Sequence, residues 1–235
     1  MLRLEFDEVY NFDGAIRGMR NPMNSWAKSD SDWCMSCEDG GQCQLSKSGC
    51  YMLGANDLDL CKRLVSAGTE HRKFLRQVMV SVDIIAPLYW WKEFDTYKVG
   101  TTANSTSTMH KIHAKEFTIE DFSYDHLHES ENGWVEDEKG HKWTSSRTTM
   151  ETIVGVLNAY RHQFLTTKDK AYWYVMVQLL PSSYNQKRTV TMNYENLLSM
   201  YFQRKNHKLE EWHTLCDWIK ELPYMEEFIK CVETK

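Results

Sequence analysis

One polar stretch of the sequence has the side chains that bind phosphate groups. Residues 98–110 read KVGTTANSTSTMH, and within them Lys98, Asn104, Ser105 and Ser107 supply an ammonium group, an amide and two hydroxyls. Such groups bind phosphate oxygens or the polar edge of a pyrimidine. The alternative is a solvated loop of small polar residues. The apolar segment Ala86–Trp91, which lies shortly before the stretch, weakens this alternative, so the pattern favours a loop that faces a ligand.

Three further side chains are candidates for contacts to a ring or a phosphate. Arg204 lies near the predicted end of a helix, and its planar cation can polarise a carbonyl; a surface arginine at a helix C-terminus is the alternative. His71 follows a turn containing glycine, where it either donates a hydrogen bond to a ligand or caps the junction. Asn193 stands between a predicted strand and a predicted helix, where it contacts a ligand or serves as the N-cap.

Four cysteines occur in a segment rich in glycine and serine, residues 25–54. They are Cys34, Cys37, Cys43 and Cys50. Four thiolates in one loop are able to hold structural zinc, and the spacing of the first pair suits such a site. The second pair is spaced too widely for a standard zinc knuckle. We therefore predict a loop of free thiols and no metal site, with zinc as the alternative.

The composition restricts the class of protein. The chain has 235 residues, 42% hydrophobic and 26% charged, with a formal net charge of −5. This is ordinary globular composition, and it gives no electrostatic reason to expect a nucleic acid partner. The paired Trp90 and Trp91 are interpreted as core packing and not as a base-stacking surface. We predict a single domain spanning residues 1–235, with the cysteine-containing loop at about 25–54 and a polar insertion at about 120–145.

Short apolar runs predict a cytoplasmic protein that does not enter the membrane. The longest run, residues 84–91, is far shorter than the roughly 20 residues that cross a bilayer, and charged residues interrupt the first ten positions. In that compartment the cysteines are expected to be thiols or metal ligands and not disulfides.

Periodicity predicts the elements that position these residues. Residues 2–12 and 78–84 alternate as strands do, with one apolar residue in every two over 78–84. Asn56 is the predicted N-cap of a helix that ends at Gly68. Three apolar stripes at helical spacing make the C-terminal third mostly helical.

Four segments occur in an order that resembles the flavin-dependent thymidylate synthase family. They are Ala67–His71, Ala86–Phe94, Leu179–Pro181 followed by Thr189–Asn193, and Arg204. That family has a flavin-contacting histidine after a helix–glycine turn, a strand ending in Ala-Pro, and a helix before its signature loop. A Leu-Pro, a strand ending in Thr-x-Asn and a helix ending in arginine follow. The resemblance covers most of the chain from Gly68 onward.

The signature loop departs from the family pattern R-H-R-x-x-S-x-N-E-x-S-x-R. Residues 97–109 keep Asn104 and Ser107 if one residue is inserted, but they lack the arginines that open and close the pattern and the glutamate after the asparagine. Val177 and Gln178 stand where the family has an arginine before the Leu-Pro.

The resemblance implies a fold and a reaction. The fold is α+β, a small antiparallel sheet packed with helices, with a helical C-terminal third and assembly into homotetramers with shared active sites. The reaction is the reductive methylation of deoxyuridylate (dUMP) to thymidylate (dTMP), with FAD as hydride carrier. Methylenetetrahydrofolate donates the carbon and NADPH the electrons. Two alternatives follow from the missing arginines: a homologue that binds nucleotide or flavin without methylating, or an enzyme that modifies another pyrimidine nucleotide.

The resemblance also implies a role for each candidate residue. Arg204 polarises the pyrimidine and contacts the substrate. The predicted flavin contacts are His71, Asn104 and Asn193. The predicted contacts to the nucleotide phosphate are Lys98, Ser105 and Ser107.

Overall fold

The computed structural model describes residues 2–34, 51–130 and 133–234. The strands of these residues are β1 (Arg3–Tyr10), β2 (Asp32–Trp33), β3 (Tyr51–Met52), β4 (Met79–Pro87), β5 (Thr102–Ser105), β6 (Trp134–Glu136), β7 (Lys142–Thr144) and β8 (Asn185–Asn193). Their α-helices are α1 (Phe12–Arg20), α2 (Ala55–Ala67), α3 (Leu88–Phe94), α4 (Thr108–Lys111), α5 (Ser146–Thr167), α6 (Lys170–Leu179), α7 (Tyr194–Arg204), α8 (Glu210–Glu221) and α9 (Met225–Glu233). The sheet has the strand order β1-β4-β8-β5. A small antiparallel sheet packed with helices, and a mostly helical C-terminal third, confirm the expected α+β class.

The described residues form two compact units. The first unit contains residues 85–94 and 105–188, and the second contains residues 2–84, 95–104 and 189–234. The prediction of a single domain stays a prediction.

Two packed helices organise the first unit. Ser145 caps α5 by accepting the N–H of Thr148, and Asp169 caps α6 by accepting the N–H of Ala171. The two helices pack on each other around a buried apolar cluster, which comprises Ile112, Phe117, Phe122, Met150, Leu157 and Met176. The polar stretch at 120–145 contains an antiparallel pair, β6 with β7, in which Trp134 lies opposite Thr144.

Alternating burial along β4 organises the second unit. Val80, Val82 and Ile84 are buried to 1% exposure or less, while the residues between them are half-buried. This confirms the predicted strand and its buried face. The helices pack in a chain around the core: α2 on α9, α9 on α8, and α8 on α7.

The start of α2 differs from the sequence prediction. The N-cap is Gly54 and not Asn56, which lies inside the first turn. The Asp30 carboxylate accepts the N–H of Asn56 at 2.9 Å and that of Asp57 at 3.0 Å, so a distant residue performs the cap. The predicted end is confirmed, because the helix stops at Ala67 and Gly68 has a positive φ of 117°.

The two predicted loops are partly structured. Within residues 25–54, β2 pairs with β3, joining Trp33 to Tyr51. Cys34 is a free thiol there, whereas Cys37, Cys43 and Cys50 lie outside the described residues. The polar stretch 98–110 is not a continuous loop, since it contains β5 and α4. In the described ranges, no helix combines the length and apolar character that a bilayer crossing requires.

Candidate functional site

The N-terminus of α7 fixes the segment that precedes β5. Asn193 is the N-cap: its side-chain oxygen accepts the N–H of Asn196 at 2.9 Å, and the Asn196 oxygen accepts the N–H of Asn193 at 3.4 Å. Asn196 also donates through Nδ2 to the carbonyl of Val99 at 2.8 Å. This reciprocal cap satisfies orphan helix donors and at the same time binds the segment to the helix. The capping role that the sequence allowed for Asn193 is therefore present.

Gly100 lies too close to this cap for any side chain. A Cβ atom at Gly100 would be 2.9 Å from Asn193 Nδ2 and 2.9 Å from Asn196 Oδ1, and the backbone has a φ of +73°. The left-handed conformation and the close approach both require glycine here. The segment 97–100 is thus held at a fixed position along α7.

Arg204 is held at the C-terminal end of the same helix. Its Nε donates to the hydroxyl oxygen of Tyr97 at 2.8 Å, and that hydroxyl donates to Gln203 Oε1 at 3.0 Å. The guanidinium carbon lies 4.5 Å from the ring centroid of buried Trp212 and 5.5 Å from that of Tyr97. Two aromatic rings and one hydroxyl therefore set the plane of a half-buried cation, and this geometry depends on a guanidinium group.

Arg72, the neighbour of His71, links the turn that contains His71 to the N-terminal end of α7. His71 is exposed in the turn after α2, and its N–H donates to the carbonyl of Gly68 at 3.0 Å. The Arg72 guanidinium binds the Glu195 carboxylate with both groups bidentate, at 2.8 and 2.9 Å, and the two side chains are only 12% and 15% exposed. Because Glu195 is in the first turn of α7, this ion pair holds the His71 turn against that end of the helix.

The structure therefore gathers part of the predicted residue set along one helix. Lys98 is exposed, and its neighbours on both sides are bound to α7. We call the group formed by Tyr97, Lys98, Asn193, Arg204 and the His71 turn the α7 surface. Sequence reasoning missed Tyr97 and Arg72. Each is adjacent to a predicted residue, but their partners lie more than a hundred positions away in the sequence.

The remaining predicted residues lie in or beside β5. Asn104 is exposed in the second unit, and Ser105 is exposed in the first. Ser107 caps α4, since its hydroxyl oxygen accepts the N–H of His110 at 2.9 Å. Its present role is thus a local cap.

The first unit holds an arginine that sequence reasoning did not identify. The guanidinium of Arg188 lies 4.1 Å from the ring centroid of buried Trp91, and its Nε donates to Gln186 Oε1 at 3.0 Å. Gln186 also donates to the carbonyl of Thr106 at 2.8 Å, while Trp91 Nε1 donates to the Gln186 carbonyl at 3.0 Å. This network joins β8 to the chain just before Ser107. Its only sequence signal is one arginine at the start of a β-prone stretch.

Four of the predicted residues carry donor groups of the types that bind anions and the polar edges of rings. Lys98 offers an ammonium group, His71 an imidazole and Arg204 a guanidinium plane, while Asn104 offers an exposed amide. Among the residues that the structure describes, no group of three His, Cys, Asp or Glu side chains is arranged to hold a metal ion. The zinc alternative depends on cysteines outside those ranges and stays a hypothesis.

Solved structures of known enzymes share this fold along nearly their whole length. Thymidylate synthase X (ThyX) from Helicobacter pylori with FAD and dUMP superposes with a TM-score of 0.60 at 16% identity, covering 97% of this chain and 100% of that one. A second flavin-dependent ThyX structure from Helicobacter pylori gives 0.61 at 16% identity, with coverage of 98% and 99%. The UMP/dUMP methylase PolB from Streptomyces cacaoi bound to 5-bromo-dUMP gives 0.54 at 12% identity, with coverage of 98% and 94%. No protein-family model and no curated protein matches the sequence. The fold expected from the resemblance to flavin-dependent thymidylate synthases is confirmed.

Proposed function

We propose that this chain is a flavin-dependent thymidylate synthase-like enzyme that methylates dUMP reductively to dTMP. Methylenetetrahydrofolate is the carbon donor, NADPH the electron source and FAD the bound cofactor. The fold supports the proposal, because it is that of a ThyX solved with FAD and dUMP and of a UMP/dUMP methylase. Fold alone does not fix an activity. The observation that carries the proposal is the guanidinium of Arg204, oriented by Tyr97 and Trp212.

Arg204 is the proposed catalytic residue. A guanidinium group held in one plane can donate to pyrimidine carbonyl oxygens and stabilise the negative charge that develops on the ring during attack. Tyr97 accepts from Nε, and Trp212 supports the face of the group, so the cation is positioned before substrate arrives. Preorganised charge of this kind costs little reorganisation during reaction.

The flavin and the phosphate would be held by the other predicted residues. In the proposal, His71, Asn104 and Asn193 contact FAD, which supplies the redox chemistry when bound. The nucleotide phosphate contacts are Lys98, Ser105 and Ser107. Arg188, in the first unit, is a further candidate for a contact to an anionic group, since its guanidinium is oriented by Trp91 and Gln186.

The proposed setting is a cytoplasmic homotetramer with dUMP as its partner and neither nucleic acid nor membrane as a ligand. A shared active site gives a reason for the sparse donor set of a single chain, because neighbouring copies would add residues to it.

A second candidate function is methylation of UMP, or of both UMP and dUMP. The observation in its favour is the fold shared with PolB, whose structures contain bromo-derivatives of dUMP and of UMP. Binding of nucleotide or flavin without methyl transfer is the third candidate, favoured by the missing signature arginines.

The experiment separates binding from turnover. The purified protein is examined for flavin absorbance, then titrated with dUMP and with UMP, and finally assayed for methylated product with methylenetetrahydrofolate and NADPH. Flavin absorbance with dTMP formation supports the proposal, and methylated UMP supports the second candidate. Bound flavin or nucleotide without product supports the third. A protein that binds neither FAD nor a pyrimidine nucleotide refutes all three.

The role of Arg204 is tested with a matched pair of variants. Arg204→Ala should abolish product formation while leaving the circular dichroism spectrum unchanged. Arg63→Ala removes an arginine that is 68% exposed on α2 and should keep full activity. Unchanged turnover in Arg204→Ala would reject the catalytic assignment.

A further inference from the structure

The second unit contains a pocket separate in its residues from the α7 surface. A cavity of about 330 Å³ lies between α1 and the segment that leads into β2. Asp13, Trp26, Ser29, Asp32 and Trp33 contribute to its lining. This volume is at the lower end of the range for small-molecule sites, so it suits a small ligand.

Two tryptophan side chains form fixed, half-exposed walls of the pocket. Trp26 Nε1 donates to Asn21 Oδ1 at 2.8 Å, which commits its N–H and fixes its ring, yet the residue is 50% exposed. Trp33 is also 50% exposed, and its ring meets buried Tyr51 edge-on with 5.2 Å between centroids. Exposed indole rings with fixed orientations are unusual on a soluble surface and attract cations.

The pocket hydroxyls have only acceptor capacity left. Ser29 and Ser31 donate their hydroxyl protons to Asp57 Oδ2 at 2.7 and 2.6 Å. A hydroxyl carries one proton, so Ser29 Oγ offers lone pairs to a further partner, whereas Ser31 Oγ already accepts the N–H of Gly54 at 3.0 Å. A ligand that contacts Ser29 Oγ must therefore donate a hydrogen bond to it.

The charged groups of the pocket also favour a cationic ligand. Arg20 is neutralised, because its Nε lies 2.5 Å from the carboxylate of fully buried Asp57. The other charged groups of the lining are Asp13 and Asp32, which are negative, and Arg17, which is positive. Burial, followed by the carboxylates of Asp57 and Asp13 and, with a smaller effect, Asp32, raises the pKa of the Tyr51 phenol. This agrees with a negative potential in the pocket.

We propose that this pocket binds a small organic cation with N–H donors, a primary ammonium or a guanidinium group. The indole faces attract the charge, the carboxylates neutralise it, and the Ser29 hydroxyl oxygen accepts one of its hydrogen bonds. The group is carried either by a free amine or by a lysine or arginine side chain. The site is independent of FAD and dUMP.

The test uses the full-length protein and tryptophan fluorescence, checked by calorimetry. Agmatine and spermidine are titrated as free amines. Nα-acetyl-lysine amide, which keeps its ε-ammonium group, serves as a side-chain mimic, and inorganic phosphate and AMP serve as anions. Agmatine should bind saturably, and phosphate and AMP should not. Tighter binding of the lysine mimic than of the free amines identifies a peptide side chain as the source, and the reverse order identifies a free amine. Tetramethylammonium, which has no N–H donor, should bind more weakly than agmatine.

Charge-neutral variants locate the site. The Asp13→Asn and Asp32→Asn double variant should bind agmatine about fivefold more weakly, since each partly exposed ion pair contributes a few tenths of a kcal/mol or more. Asp59→Asn, which changes a carboxylate 66% exposed on α2, should bind as the wild type does. The single variant Asp32→Asn serves if the double variant unfolds. No saturable agmatine binding, preference for an anion, equal binding of tetramethylammonium, or unchanged affinity in the carboxylate variants would each overturn the proposal.

Discussion

Replacing Asp57 with asparagine would remove a buried charge that holds the segment before β2 in place. The Asp57 side chain is 0% exposed. Its Oδ1 accepts from Arg20 Nε, and its Oδ2 accepts from the hydroxyls of Ser29 and Ser31 and from the N–H groups of Asp30 and Ser31. An amide keeps the shape but offers one oxygen. Its NH₂ group must therefore face a donor on one side or the other.

The expected loss of stability in Asp57→Asn follows from placing the amide NH₂ group against another donor. Removing one partner of a buried ion pair destabilises a protein by about 3–5 kcal/mol, because the other charge remains buried and uncompensated. Asparagine retains one oxygen, so we expect the lower end, about 3 kcal/mol. For a chain of this length that corresponds to a fall in Tm of roughly 6–12 °C, at about 2–4 °C per kcal/mol.

Urea and thermal unfolding, followed by circular dichroism, measure the effect. Asp59→Asn is the matched control: it lies on the same helix and pairs with Arg63, but both side chains are about two-thirds exposed. Such a pair contributes well under about 1 kcal/mol. If Asp57→Asn unfolds within about 1 kcal/mol of the control, the reasoning on buried charge is wrong.

The pH dependence of the unfolding free energy provides a second measurement on Asp57. Burial alone would raise the pKa of Asp57, but the hydrogen bonds from Ser31, Ser29, Arg20 and the N–H of Asp30 outweigh it and lower the pKa below its usual 3.8. A carboxyl whose pKa is lower when folded stabilises the protein above its unfolded pKa and loses that stabilisation as pH falls. Wild type should therefore lose stability as the pH is lowered from about 5, and Asp57→Asn should lose less.

Three further predictions concern the α7 surface. Gly140→Ala, with a φ of +79° and 3.6 Å of clearance, should lose only the backbone cost of a left-handed alanine, about 1–2 kcal/mol of unfolding free energy. Gly100→Ala should lose more than Gly140→Ala and weaken FAD binding, because its close approach to Asn193 and Asn196 adds to that backbone cost; equal losses would refute the close approach. A double-mutant cycle on Arg72→Ala and Glu195→Ala, measured by urea unfolding, should give a coupling energy of about 1–3 kcal/mol, since the pair is bidentate and mostly buried; additive effects would contradict it. Arg204→Lys should keep the fold by circular dichroism but lower kcat/KM about tenfold or more, since a lysine lacks the planar fork; wild-type kinetics would show that charge alone suffices.

Sequence patterns correctly predicted those elements that depend on residues adjacent in the chain. The alternating pattern of β4 and the glycine after α2 each report on their own neighbours, and both were confirmed. The paired Trp90 and Trp91 are buried to 0% and 1% exposure, as core packing requires.

The sequence could not predict contacts made by distant residues. Asp30 caps α2 across a gap of 26 residues to Asn56, so local N-cap preferences pointed to the wrong position. Tyr97 holds Arg204 across 107 positions, a pairing with no local signal. The roles of the site residues came from a family resemblance, and they stay predictions until ligands are bound.

The pairing of β2 with β3 has a consequence for how the chain tolerates change. Trp33 and Tyr51 lie opposite each other in an antiparallel ladder, so the two ends of the intervening sequence are held about 5 Å apart. Closing a chain between fixed ends depends only weakly on its length, at about 0.6 kcal/mol for each doubling. The ladder therefore places little thermodynamic constraint on the length of the sequence between these two anchors, since doubling that length costs about 0.6 kcal/mol in chain closure.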